Sequence, residues 1–159
     1  MSDARRFMLL AMLGHVALLG GAFLFQLAGY APCEMCLWQR WPHAAAILLG
    51  SLALARIAPR VTIALAGLAA LTTSGLGLFH AGVEQRWWPG PTSCTGDGAA
   101  LGSLSGADLL STTTADTIVM CDDIVWQLGL TMAGWNAVLS LILAVMWVLA
   151  WRGTTRAAT

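Results

Sequence analysis

The stretch FMLLAMLGHVALLGGAFLFQLAGY, residues 7–30, carries no formal charge over 24 positions. Only His15 and Gln26 are strongly polar within it. About 20 apolar residues suffice for a helix to cross a bilayer. Backbone groups in lipid must also be satisfied within the segment, which favours a helix. Arg5 and Arg6 precede this run as they would a secretory signal, but its apolar core exceeds the usual 7–15 residues, so it is read as a retained helix. Three further runs follow, and the expected helices are about 7–30, 38–57, 61–83 and 124–151. The second is the least comfortable, since Arg40 and Pro42 fall near its start. Membrane barrel strands would alternate polar and apolar residues, and none of these runs does.

The composition agrees. The 159 residues are 58% hydrophobic and 10% charged, with mean hydropathy +0.73. A soluble domain carries roughly 25% charged residues. A disordered chain would be poor in apolar residues. The net charge is zero and every cation is an arginine, so no basic face for nucleic acid is present. The expected fold class is an all-α membrane protein: residues 1–159 as one integral domain, a four-transmembrane-helix bundle with outer loops at about 31–37 and 84–123.

Arginines set the direction. Arg5, Arg6, Arg56, Arg60, Arg152 and Arg156 fall on one side of such an array, and only Arg40 and Arg86 on the other. By the positive-inside rule both termini are cytoplasmic and the two loops periplasmic. Trp38, Trp41, Trp87, Trp88 and Trp126 then mark the outer interface, and Trp147 and Trp151 the inner one. Thr73, Gly77 and Ala81, and Gly129, Ala133 and Ala137, form small-residue stripes that let helices approach closely.

All four cysteines fall in the outer loops: Cys33, Cys36, Cys94 and Cys121. Thiols outside the cytoplasm can stay oxidised. Four cysteines allow three pairings. The local pair Cys33–Cys36, leaving Cys94 with Cys121, is the first to consider. Two purely structural disulfides are an alternative. A zinc site built from all four cysteines is a poorer one, because only half of the usual paired C-x-x-C pattern is present; no metal is expected. Helix two runs inward from Cys36, so its N-terminal N–H groups favour a thiolate there, and Arg40 adds positive charge. Pro42 suits a first helical turn. His15 reads as a packed or hydrogen-bonded histidine, His43 as facing the outer interface, and Asn136 as a bond between helices. Leu101, Leu104, Leu109 and Leu110 could lie on a short surface helix begun at Ser105, with Asp108 completing a capping box.

Pro32-Cys33-x-x-Cys36 with Gln39-Arg40, His80 before Gly90-Pro91-x-Ser93-Cys94, and Cys121-Asp122 leading to Ala133-Gly134-Trp135-Asn136 together resemble the disulfide-bond formation protein B family. The resemblance covers nearly the whole chain. It implies a quinone-dependent oxidoreductase of the bacterial inner membrane that reoxidises a periplasmic thioredoxin-fold dithiol oxidase, DsbA. Carried over, Cys94–Cys121 is the pair that exchanges with that partner, through Cys94. Cys33–Cys36 is the quinone-coupled pair, with Cys36, Arg40 and His80 at the quinone, ubiquinone or menaquinone. Glu34 departs from the apolar or neutral residue common there, which bears on the local potential. The alternatives are a thiol oxidoreductase resembling vitamin K epoxide reductase and a non-enzymatic scaffold with two structural disulfides.

Overall fold

The computed structural model describes residues 3–91, 120–124 and 127–156. Four long helices account for most of them: α1 (Asp3–Leu27), α2 (Glu34–Leu54), α3 (Pro59–Glu84) and α4 (Met132–Arg156). A two-residue ladder, β1 (Gln127–Leu128) with β2 (Leu130–Thr131), precedes α4. Each helix packs on two others, in the cyclic order α1, α2, α3, α4.

Local chemistry sets the ends. α1 stops in a Schellman motif: Tyr30 N–H donates to Phe25 O and Gly29 N–H to Gln26 O, both at 3.1 Å, with Gly29 at φ +97°. α2 starts at Cys33, whose sulfur accepts from Cys36 N–H and so caps the helix. Pro42 therefore sits inside α2 rather than in its first turn, and denies Trp38 O its usual donor. α2 and α3 end in the same motif as α1, but with Arg56 (φ +62°) and Arg86 (φ +59°) at the left-handed position.

The fourth helix begins at Met132, eight residues beyond the expected Ile124. Gly129, at φ +79°, turns the chain between β1 and β2 instead of lying on a helical stripe. Thr131 then caps α4, its Oγ1 accepting from Gly134 N–H at 3.0 Å. On α3 the small-residue stripe does pack: a Cβ on Gly77 would stand 2.9 Å from Ala137 N and 3.0 Å from Ala133 O.

Three helices among the described residues are long and apolar enough to cross a membrane: α1, α3, and α4 over Met132–Thr154. α2 is not among them, because Glu34, Gln39, Arg40 and His43 load its first half with polar groups. Large apolar side chains such as Leu10, Phe23, Leu48, Leu68 and Leu141 face outward, as they do in lipid. The interior is layered. At one end Trp147 packs among alanines of all four helices. At the other, Cys33, Met35, Val83 and Cys121 form a second buried cluster, with Cys36 against it. Buried His15, Gln39, His43, Thr73 and Ser140 fall outside both clusters. Trp147 is only 1% exposed, so it is a core residue and not an interfacial one. Its indole N–H, which must find an acceptor when buried, reaches His15.

Candidate functional site

The N-terminus of α2 carries the site. Cys33 and Cys36 are both free thiols, with sulfurs 2.7 Å apart. Cys33 donates its S–H to Cys36 Sγ, and its own sulfur accepts the Cys36 N–H at 3.2 Å. That arrangement splits the two thiols, both of which precede the expected span from residue 38. Cys36 is held below the ordinary thiol range, first by the Cys33 S–H, with the Cys33 backbone and Arg40 adding to this against burial and Glu84. Cys33 is pushed up, because its proton is shared with Cys36 and because it is buried. The carboxylate that bears on both sulfurs is Glu84, while Glu34 is exposed.

His80, near the end of α3, is buried beside Cys33, with Nε2 3.6 Å from the sulfur. Its Nδ1 meets Gln39 Nε2 at 2.9 Å. It also hydrogen-bonds the backbone of Cys121. Glu84 Oε1 lies 3.9 Å from His80 Nε2. Cys121 is fully buried and disulfide-bonded, and belongs to the same cluster as Cys33. Three of the four cysteines are thus brought together. Cys94 lies outside the described residues, as do Trp126 and the expected surface helix at 101–110.

Arg40 reaches back to α1, where Nη1 donates to Gln26 Oε1 at 2.7 Å and the guanidinium lies 4.7 Å from the Phe23 ring centroid. A cavity of about 270 Å³ opens between these groups, lined by Cys33, Cys36, Arg40, His80, Glu84 and Trp135 among others. Arg40 Nε and Trp135 Nε1 are buried donors with no hydrogen-bond partner among the described residues. Two orphaned donors on one small, mostly apolar cavity fit a ring with two carbonyl oxygens, and its volume suits such a ring rather than a whole lipid. The sulfurs of Cys33 and Cys36 and Nε2 of His80 also lie within 4.8 Å of one another. The Cys33 S–H bridges the two sulfurs of this set.

From the sequence, Glu84 has no assigned role, Gln39 stands only beside Arg40 in the family motif, and Trp135 is expected to serve packing. His43 is 3% exposed and bonded to His15 at 2.8 Å, so it does not face the interface. The signal for Glu84 was an acid ending an apolar run; for Gln39 it was its place beside Arg40.

The comparisons point the same way. No solved structure gives a significant match. A relative named disulfide bond formation protein B, from Verminephrobacter eiseniae (strain EF01-2), is 40% identical over 88 residues. The match covers 54% of this chain and 49% of that relative, so this chain spans about half the length of the curated relative it matches. The family model for disulfide bond formation protein DsbB matches residues 4–150, nearly the whole bundle together with the paired thiols at the start of α2. The chain belongs to the DsbB family.

Proposed function

We propose that this protein is a quinone-dependent, disulfide-generating oxidoreductase of the bacterial inner membrane, with four spans, cytoplasmic termini and periplasmic cysteines. It takes two electrons from a periplasmic thioredoxin-fold dithiol protein of the DsbA kind through Cys94–Cys121. It passes them to Cys33–Cys36 and on to membrane quinone. The observation that carries this reading is the polarised thiol pair, Cys33 S–H against Cys36, set in one buried cluster with Cys121 and open to a cavity with two orphaned donors.

The residues divide the work. Packing Cys121 against Cys33 brings the second redox centre within reach of the first, so exchange needs only a short movement. An attacking thiolate breaks the Cys33–Cys36 disulfide, and Cys36 is the better leaving group because the helix N-terminus and Arg40 favour its anion. Cys33 is left as the protonated partner. Arg40 Nε and Trp135 Nε1 would hold the quinone oxygens, and Arg40 would keep fixed positive charge beside Cys36. Bound quinone supplies a lipid-soluble acceptor for two electrons and two protons. Arg40 itself is anchored by Gln26 and Phe23, which holds it in place at low entropic cost.

The test uses purified protein in detergent, a reduced thioredoxin-fold dithiol oxidase and a soluble ubiquinone analogue. Quinone should be reduced in step with dithiol oxidation. Oxidised quinone persisting beside reduced partner would overturn the reading and leave a scaffold, and dithiol oxidation without quinone reduction would point to another acceptor.

A further inference from the structure

A chain of hydrogen bonds runs the length of the buried layer, and its direction is fixed. Trp147 Nε1 meets His15 Nε2 at 3.3 Å. An indole N–H can only donate, so the His15 proton sits on Nδ1. His15 Nδ1 meets His43 Nδ1 at 2.8 Å, which places the His43 proton on Nε2. That nitrogen is 2.9 Å from Asn136 Oδ1. Asn136 Nδ2 donates to Gln39 Oε1 at 2.6 Å. Gln39 Nε2 donates to Met35 O at 3.1 Å, and hence its amide also faces His80 Nδ1 as a donor. His80 Nδ1 is therefore an acceptor, and the His80 proton is on Nε2. The indole at one end and the Met35 carbonyl at the other fix the same polarity independently.

This has a consequence for the dithiol. The Cys33 S–H is the proton held between the two sulfurs, and closing the Cys33–Cys36 disulfide from the state in which Cys36 is the anion releases that one proton, from Cys33. His80 Nε2 then carries a proton and lies 3.6 Å from Cys33 Sγ and 3.9 Å from Glu84 Oε1, with the Cys121 backbone as a further acceptor. Glu84 is 8% exposed, its Oε2 is buried without a hydrogen-bond partner among the described residues, and it acts electrostatically on both sulfurs. Thr131 hydrogen-bonds to it from the cap of α4.

We propose that Glu84 accepts the proton Cys33 releases when the Cys33–Cys36 disulfide re-forms, and that the Trp147–His15–His43–Asn136–Gln39 chain reserves this role for Glu84 by holding His80 as a donor. The inference rests on the dithiol-to-quinone reading above. In the step, Cys33–SH, Cys36–S⁻ and Glu84–COO⁻ give the disulfide and Glu84–COOH, and two electrons pass to the quinone acceptor. The S–H bond breaks, the S–S bond forms, and the His80 N–H stabilises the charge on sulfur as it develops. The titratable groups around Glu84 are His80 on its own helix, Cys33 and Cys36 from α2, and Arg40 and Asp123 elsewhere in the cavity lining.

The test follows single-turnover oxidation of the reduced full-length protein by a soluble quinone, with imidazole ¹⁵N spectra of the quinone-free protein. Glu84→Gln should slow the oxidation by about a hundredfold, the usual loss for a positioned base. Glu84→Asp should keep part of the rate. Glu84→Ala should be rescued by added formate, which no purely structural role predicts. The ¹⁵N spectra should show His80 protonated on Nε2, and Gln39→Glu should abolish that state. Wild-type rates in Glu84→Gln, absence of formate rescue in folded Glu84→Ala, or a His80 proton on Nδ1 would each overturn the inference while leaving the wild-type reaction intact. Failure of the wild type to reduce quinone would instead overturn the function on which it rests.

Discussion

Replacing Cys33 by alanine should raise the apparent pKa of Cys36 more than replacing Arg40 does. The Cys33 S–H, 2.7 Å from Cys36 Sγ, is the largest influence favouring the Cys36 anion, and Arg40 is the smallest. A hydrogen bond to a charged group contributes about 1.5–3 kcal/mol. Its loss removes that stabilisation of the anion and moves the Cys36 titration up. Arg40 is half-buried and tied to Gln26, so its charge acts through a wetter medium and its loss moves the titration up by less. The assay is the pH dependence of iodoacetamide alkylation at Cys36, read by mass spectrometry in a Cys94→Ser, Cys121→Ser background. Cys33→Ser, which keeps an O–H donor, should fall between Cys33→Ala and the parent. An unchanged Cys36 titration in Cys33→Ala, or a larger effect from Arg40→Ala, would refute the reasoning.

Arg40→Ala should slow quinone reduction by less than the roughly 2.7–4 kcal/mol typical of losing one oxyanion donor, because the site is partly wet, and should spare exchange with the dithiol partner. Arg40→Lys should be intermediate, keeping charge without the planar fork; unaltered quinone kinetics would reduce Arg40 to a helix anchor. Asn136→Leu removes bonds to Gln39, His43 and Thr73 on two neighbouring helices. At about 0.6 kcal/mol per bond between membrane helices, it should cost about 2 kcal/mol in mixed-micelle unfolding. Arg86→Gly relieves a left-handed backbone at φ +59° and should gain about 1 kcal/mol in the same measurement. A membrane-impermeant thiol reagent should label reduced intact spheroplasts, and labelling only after permeabilisation would reverse the orientation.

The apolar runs made α1, α3 and the body of α4 legible, because a span is a property of a window and averages over its residues. Helix ends depend on single groups and were harder. Cysteine is a poor capping residue by type, so nothing marked Cys33 as the start of α2 until its sulfur was seen to accept the Cys36 N–H. Residues 124–131 are as apolar as a span, and only Gly129 and Thr131 mark a turn and a cap. The C-x-x-C pair and His80 were legible because their chemistry is local or motif-bound. The polar layer was not: His15, His43, Asn136 and Trp147 meet across separations of 28, 93 and 132 residues, and each read alone looks like an isolated polar group in a span.

Those isolated groups also explain why the outer site holds one geometry. A polar side chain in lipid without a partner is expensive, so each must be satisfied inside the bundle. Satisfying them in series is different from satisfying them in separate pairs. Every imidazole and amide in the series both donates and accepts, so each bond dictates the next, and a donor-only indole leaves one consistent arrangement. The series draws members from all four helices: His15 from α1, His43 and Gln39 from α2, His80 from α3, Asn136 and Trp147 from α4. Rotating or sliding any one helix breaks at least one link. The N–H that faces Cys33 is in this way positioned by the packing of the whole bundle. A site assembled only from the outer loops would have no comparable constraint on which nitrogen of His80 carries its proton.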